Sequence, residues 1–296
     1  MILNKAGGLM SEEKVEKYSY SKISSFHSCI YDWYLSYVKK DRGDNNIYGI
    51  LGSEIHESYE LMTQGKRTKQ EAIESFDKAY KKCIKDKLSF PTPKSGEKYY
   101  KDIIHAFETF ENFKDKEMLQ ELEFHSTFCG LEFKGYIDLV LIDHKDKTLQ
   151  ILDWKSSSKF SKKDLESSKV FQLILYSMVI KDTLGEEYKD YKILNPVFYM
   201  LKYCKIKSGE TGKLKTIERC EITDADEYIT PLLVEVQYNS KMIEKLKQYV
   251  IDTYFDISFK DVNDEDDWIP EDINTFFCKN LCKRNCKYYK QAQYRN

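Results

Sequence analysis

Apolar and aromatic residues recur every three to four positions through SKISSFHSCIYDWYLSYVKK, which predicts a helix that Ser19 or Ser21 can cap. The same spacing predicts helices from about Ile47 to Met62 and from about Lys69 to Lys87. SFPTPKSG, with Pro91 and Pro93, reads as a loop before a helix from about Tyr99 to Phe113. The pattern then changes. ELEFHSTF, LEFKGYIDLVLI and TLQILDWK are short, rich in apolar and β-branched residues, and separated by Cys129-Gly130 and DHKDK, so they read as consecutive antiparallel strands. A helix from about Lys162 to Thr183 follows, then a strand NPVFYMLKY, a turn at KSGETGK and a strand LKTIERCEI. A long helix is expected from about Asp224 to Tyr249, and the acidic DVNDEDDWIPEDI leads into a cysteine-bearing end. This order of elements implies an α/β or α+β core with helical decoration at both ends.

Composition narrows the class. The 296 residues are 41 % apolar and 14 % aromatic, enough for a sizeable core despite 32 % charged residues. With 47 Lys+Arg against 49 Asp+Glu the net charge is −2, so any nucleic-acid site must be a local patch. No apolar run approaches the roughly 20 residues of a membrane span. The opening MILNKAGGLMSEEK has no secretory apolar region, so a reducing, cytoplasmic setting is expected. In that setting Cys278, Cys282 and Cys286, clustered at the end, read as metal or cluster ligands in preference to disulfide partners. Residues 1–18 are polar and expected to be flexible.

The candidate chemistry lies in the strands. Asp138 is flanked by Ile137 and Leu139, and Asp153 follows Ile151 and Leu152. A carboxylate in such a run is costly to bury unless it meets a cation or hydrogen-bond donors. Alternation puts Asp153 and Lys155 on one face and Trp154 in the opposite packing layer. A D-x-K triplet alone says little here, since Asp143–Lys145 and Asp190–Lys192 match it in polar turns. Two strand-embedded aspartates with one lysine point to a metal site. Gln172 and Tyr176, four apart in an apolar helix, share one face and either line a polar pocket or make a buried hydrogen bond. His56, on the helix with Gly52 and Glu60, is a suitable third ligand for a divalent ion, although a lone histidine is often structural.

Taken in order, Gly52-x-x-x-His56, Gly135-x-x-Asp138, Asp153-Trp154-Lys155 and Gln172-x-x-x-Tyr176 resemble the RecB-like, AddB-type branch of the PD-(D/E)XK nuclease superfamily, over about Tyr18 to Tyr289. The resemblance implies a restriction-endonuclease-like core, a mixed central sheet flanked by helices, within one nuclease domain at 19–296. That domain would comprise a helical region at 19–116, a catalytic core at 117–222, and a helix plus cysteine segment at 223–296. It implies that His56, Asp138, Asp153 and the Trp154 carbonyl hold Mg²⁺ or Mn²⁺, that Lys155 orients the attacking water, and that Gln172 and Tyr176 shape the site. The expected activity is a metal-dependent deoxyribonuclease, exonucleolytic on single strands or DNA ends, in recombination or repair. A catalytically silent nuclease fold serving as a DNA-binding scaffold, and a zinc-stabilised nucleic-acid-binding module, are the alternatives. The chain lacks a G-x-x-x-x-G-K-[ST] phosphate loop, so it works alone or with a helicase or recombination partner, as a phage or mobile-element enzyme would.

Members of that branch often hold a four-iron–four-sulfur cluster with one N-terminal and three C-terminal cysteines. Cys29 with Cys278, Cys282 and Cys286 has a similar layout, although C-x3-C-x3-C departs from the usual C-x2-C pair. Zinc, or no metal, are the other readings. In a straight helix Cys278 and Cys286 would stand about 12 Å apart, so the segment must bend if all three ligate, and Asn280 and Asn285 are expected to make the turns. Lys279, Lys283, Arg284, Lys287 and Lys290 form a possible phosphate-contacting patch.

Overall fold

The computed structural model describes residues 17–157, 160–207, 209, 213–216, 227–284 and 286–293. Most of the flexible terminus expected at 1–18, the end of the strand LKTIERCEI with Cys220, and Asn285 lie outside them.

The first expected helix is broken into pieces. α1 (Tyr20–Ser28) is capped by Ser19, whose side chain accepts from the Lys22 N–H, and it stops at Cys29, which is extended (φ −166°). α2 (Ile30–Trp33) restarts at once and runs into a π-helical turn, Tyr34–Val38. α3 (Ile47–Thr63) is capped by Asn46 and buries Ile47, Leu51, Ile55, Tyr59 and Met62 at helical spacing. α4 (Lys69–Lys85) opens with a Thr68/Glu71 capping box. α5 (Pro93–Thr109) begins six residues earlier than expected because Thr92 caps it and Pro93 takes its first position, where a missing N–H costs nothing.

β1 (Glu117–Phe128), β2 (Leu131–Asp143) and β3 (Thr148–Lys155) form the expected antiparallel meander. α6 (Lys162–Leu165) and a 3₁₀ turn lead into α7 (Phe171–Leu184), which is apolar nearly all round because it lies against the sheet under other helices. β4 (Lys192–Ile193) and β5 (Val197–Lys207) both run parallel to β3, so the seven-stranded sheet is mixed. β6 (Leu214–Thr216) and β7 (Glu227–Glu235) pair antiparallel with β5.

The helix expected from Asp224 to Tyr249 is corrected. Residues 227–235, EYITPLLVE, form β7, and the helix α8 (Ser240–Ser258) starts only after the Asn239 cap. Pro231 forbids a helix interior, and β7 pairs only with β5 among the described strands, an edge position that tolerates proline. The chain ends with a π-helical turn, Phe277–Cys282, and α9 (Lys287–Gln293).

Two apolar layers sandwich the sheet. Ile137, Val140, Ile142, Ile151 and Phe198 pack with α1, α7 and α8, while Leu139, Leu141, Leu152 and Trp154 pack with α3, α4 and α5. A third cluster joins both chain ends: Phe26, Tyr31, Trp33 and Tyr34 surround the buried Trp268 and Tyr288.

Candidate active site

Strand alternation slips at one rung. Leu119 faces the α7 layer, yet so do Leu122 and Phe124; on β2 Ile137 faces it, yet so does Val140. The register does not change: Gln120 pairs with Leu139 and Leu122 with Ile137, so Glu121 lies opposite Asp138. Glu121 takes φ 45°, the left-handed region that side-chain-bearing residues avoid. The slip frees Asp138 from both apolar layers and turns its carboxylate toward α3 and the end of β3.

There Asp138 Oδ2 accepts the Trp154 backbone N–H at 3.0 Å and lies 3.4 Å from His56 Nδ1. The ladder between β2 and β3 ends one step earlier, at Leu139–Leu152, so this side chain replaces the next rung. Asp153 is 2 % exposed; its Oδ2 sits 2.6 Å from Lys155 Nζ and finds no hydrogen-bond partner beyond that ion pair among the described residues. The Trp154 ring leaves the site for the opposite layer, stacking on Tyr59 with centroids 4.9 Å apart. From α7, Gln172 Nε2 donates to the Tyr176 hydroxyl at 2.9 Å.

These charges read one another. Burial pushes the Asp138 carboxyl well up, and Asp153 adds to it, while Lys155 and the Trp154 N–H pull the other way. Burial works against the Lys155 charge, but Asp153 and Asp138 outweigh it and hold the ammonium above its ordinary value. Burial lowers the His56 imidazole, keeping it neutral and able to ligate. The phenol of Tyr176 is raised by burial first, with Gln172 opposing and Asp153, Asp138 and Glu121 adding to the rise.

Glu121 is the residue the sequence reading missed. Its carboxylate, with His56 and Asp138, forms a group whose ligand atoms all lie within 4.8 Å of one another. Burial and Glu60 both raise its carboxyl. Local ties hold it there: the neighbouring Gln120 accepts from Gln64 at 2.6 Å and donates to Thr63, fastening β1 to the end of the helix that carries His56. The signal was present in MLQELEF, where Leu119 is out of phase with Leu122 and Phe124.

Cys29 and Cys286 pack against the aromatic cluster that joins the two chain ends. Cys29 Sγ accepts the Asp32 N–H that starts α2. Cys278 lies within the electrostatic reach of Cys29 and Cys286, and Cys282 within that of Cys29. Burial pushes the Cys278 thiol up to about 11 and that of Cys282 up to about 12. The segment does bend, but at Lys283 (φ 55°); Asn280 is buried inside the π-helical turn. Two of the five residues of the expected basic patch are paired within the fold. Arg284 is occupied by Asp32 and Asp41, and Lys287 by Glu265, so neither is held out for phosphate.

A mixed sheet flanked by helices, with acids, an imidazole and a lysine converging at adjoining strands, defines a metal-dependent nuclease. A model of the PD-(D/E)XK nuclease superfamily matches residues 17–289, and the chain belongs to that superfamily, whose members are metal-dependent phosphodiesterases with a restriction-endonuclease-like core. No curated protein matches the chain. Among the described residues no helix is long and apolar enough to cross a membrane.

Proposed function

We propose that the protein is a Mg²⁺- or Mn²⁺-dependent deoxyribonuclease that digests single strands or DNA ends. The observation that carries this is the meeting of Asp138 with His56 at 3.4 Å beside the buried Asp153–Lys155 pair. Oxygen donors suit hard divalent ions, and one imidazole makes Mn²⁺ acceptable. His56, Asp138, Asp153 and the Trp154 carbonyl would hold the ion. When bound, it supplies Lewis-acid polarisation of the phosphodiester and acidifies the attacking water. Lys155, kept charged by Asp153, places an ammonium against a phosphate oxygen and offsets the charge that builds during displacement. Gln172 holds the Tyr176 hydroxyl, and Tyr176, kept protonated, offers a hydrogen-bond donor to the nucleic-acid backbone.

The RecB-like layout supports the finer reading, an exonuclease in recombination or repair, acting with or without a helicase partner. It also supports a four-iron–four-sulfur cluster on Cys29, Cys278, Cys282 and Cys286.

Labelled DNA incubated with Mg²⁺ or Mn²⁺ tests the activity. Wild type should degrade linear DNA and spare closed circles, and Asp153→Ala should not degrade either. Equal degradation by both proteins would refute the assignment. Anaerobic purification should give a brown protein containing iron and sulfide.

A further inference from the structure

The expected ligands came from α3, β2 and β3; the geometry points to a further one from β1. We infer that Glu121 is a direct ligand of the catalytic ion and a stronger determinant of its affinity than Asp153. This rests on the metal-dependent reading above.

Three observations carry it. First, the ligand atoms of His56, Glu121 and Asp138 lie within 4.8 Å of one another, and Asp153 is not part of that group. Ligands on opposite sides of one octahedral ion at about 2.1 Å stand about 4.2 Å apart, so the group needs little movement to close on an ion. Second, Asp153 Oδ2 is already engaged by Lys155 at 2.6 Å, which leaves that acid partly committed to placing the ammonium. Third, the two strands change phase together at the rung Glu121–Asp138, with Glu121 at φ 45°. Directly opposed residues share a face of the sheet, so regular alternation would send both side chains against an apolar layer. The slip instead keeps both acids beside the helix of His56, while the Gln120 contacts to Gln64 and Thr63 hold β1 against it. Glu121 is exposed, so it borders the side from which ion and substrate arrive.

The arrangement separates two effects that usually move together. Glu121→Gly removes both the carboxylate and the unfavourable left-handed backbone of a side-chain-bearing residue. The ion-free chain should therefore melt higher than wild type, yet Mn²⁺ should no longer raise its melting temperature.

Calorimetric titration of the full chain with MnCl₂, alongside melting curves with and without Mn²⁺, tests this. Wild type should bind; Glu121→Gln should raise the Kd at least about tenfold, Asp153→Asn should raise it less, and Glu123→Gln, which removes a nearby surface acid, should leave it unchanged. A Glu121→Gln protein that titrates like wild type overturns the inference and leaves the metal-dependent reading standing. A wild-type protein that binds no Mn²⁺ overturns both.

Discussion

Asp138 closes the gap between β2 and β3 by taking the Trp154 backbone N–H at 3.0 Å, doing with its side chain what a ladder carbonyl would otherwise do. The residue is thus structural as well as a ligand in the proposed mechanism, and two substitutions should part these roles. Asp138→Asn keeps an oxygen for the N–H and removes a carboxyl whose ionisation burial opposes. It should be inactive but at least as stable as wild type without metal. Asp138→Ala leaves the N–H without its acceptor, a loss of about 1–3 kcal/mol. Urea denaturation of the ion-free proteins measures the difference.

The Asp153–Lys155 pair makes a second prediction. Asp153 is 2 % exposed, and Lys155 Nζ lies 2.6 Å from its Oδ2. Lys155→Met should cost about 3–5 kcal/mol by leaving a buried carboxylate unpaired, as well as abolishing cleavage. Adding Asp153→Asn should recover most of the stability and none of the activity. A double-mutant cycle in which the two losses simply add would contradict this coupling.

Much of this was legible in the sequence, and the failures have physical causes. Asp138, Asp153 and Lys155 were readable because charge inside an apolar strand has few bland explanations. His56 as a ligand rested on the resemblance, whereas the shared face of Gln172 and Tyr176 was readable from helical spacing. Glu121 was not, because an acid in a strand with one wet face looks ordinary; only the phase slip after Leu119 sets it apart. The break at Cys29 was missed because periodicity passes through it. It depends on a thiol acting as helix cap, an arrangement that three-to-four spacing does not encode. β7 was misread for a different reason: its partner is β5, about 30 residues earlier, and a non-local pairing overrode a segment that also looks helical.

Arg284 fastens the cysteine segment to the N-terminal helices. It reaches Asp32, Asp41 Oδ2 at 2.8 Å and Ser36 Oγ at 2.9 Å, with 6 % of its side chain exposed. Arg284→Ala should destabilise the fold by about 3 kcal/mol and speed proteolysis after Trp268. If Arg284 has no phosphate to hold, the salt dependence of DNA binding should keep its slope. Lysine at this position should rescue little, since one ammonium cannot reproduce the forked contacts.

Gly135 connects packing to the site. A Cβ there would stand 2.7 Å from Phe124 Cε1, and Phe124 meets Tyr176 edge-on with centroids 5.5 Å apart. Gly135→Ala should therefore cost about 1–3 kcal/mol by overpacking and push the Tyr176 ring from its place beside Phe124. Activity should fall further than stability alone explains, and Phe124→Leu in the same chain should restore part of both. Thermal melts and initial rates on one preparation check this.

His27 sets an acid limit on the contact between α1 and α8. Thr253 gives its hydroxyl proton to the Tyr249 carbonyl at 2.6 Å, so its oxygen accepts from His27 Nε2 at 2.6 Å; the imidazole also stacks on Tyr249, 4.4 Å away. Burial lowers the His27 pKa from its ordinary 6.5, and Asp256 only partly opposes it. The unfolded chain therefore takes up a proton at a higher pH than the folded chain. The stability due to the neutral ring is fully present above pH 6.5 and is lost as the pH falls from there through the lower folded value. The melting temperature should drop between about pH 7.5 and about pH 5.5. His27→Gln, which keeps a donor for Thr253 and cannot titrate, should flatten that drop. A residual slope from His56 and His105, lowered likewise by burial, should remain. An unchanged pH profile in His27→Gln would show that this ring is protonated as easily in the fold as outside it.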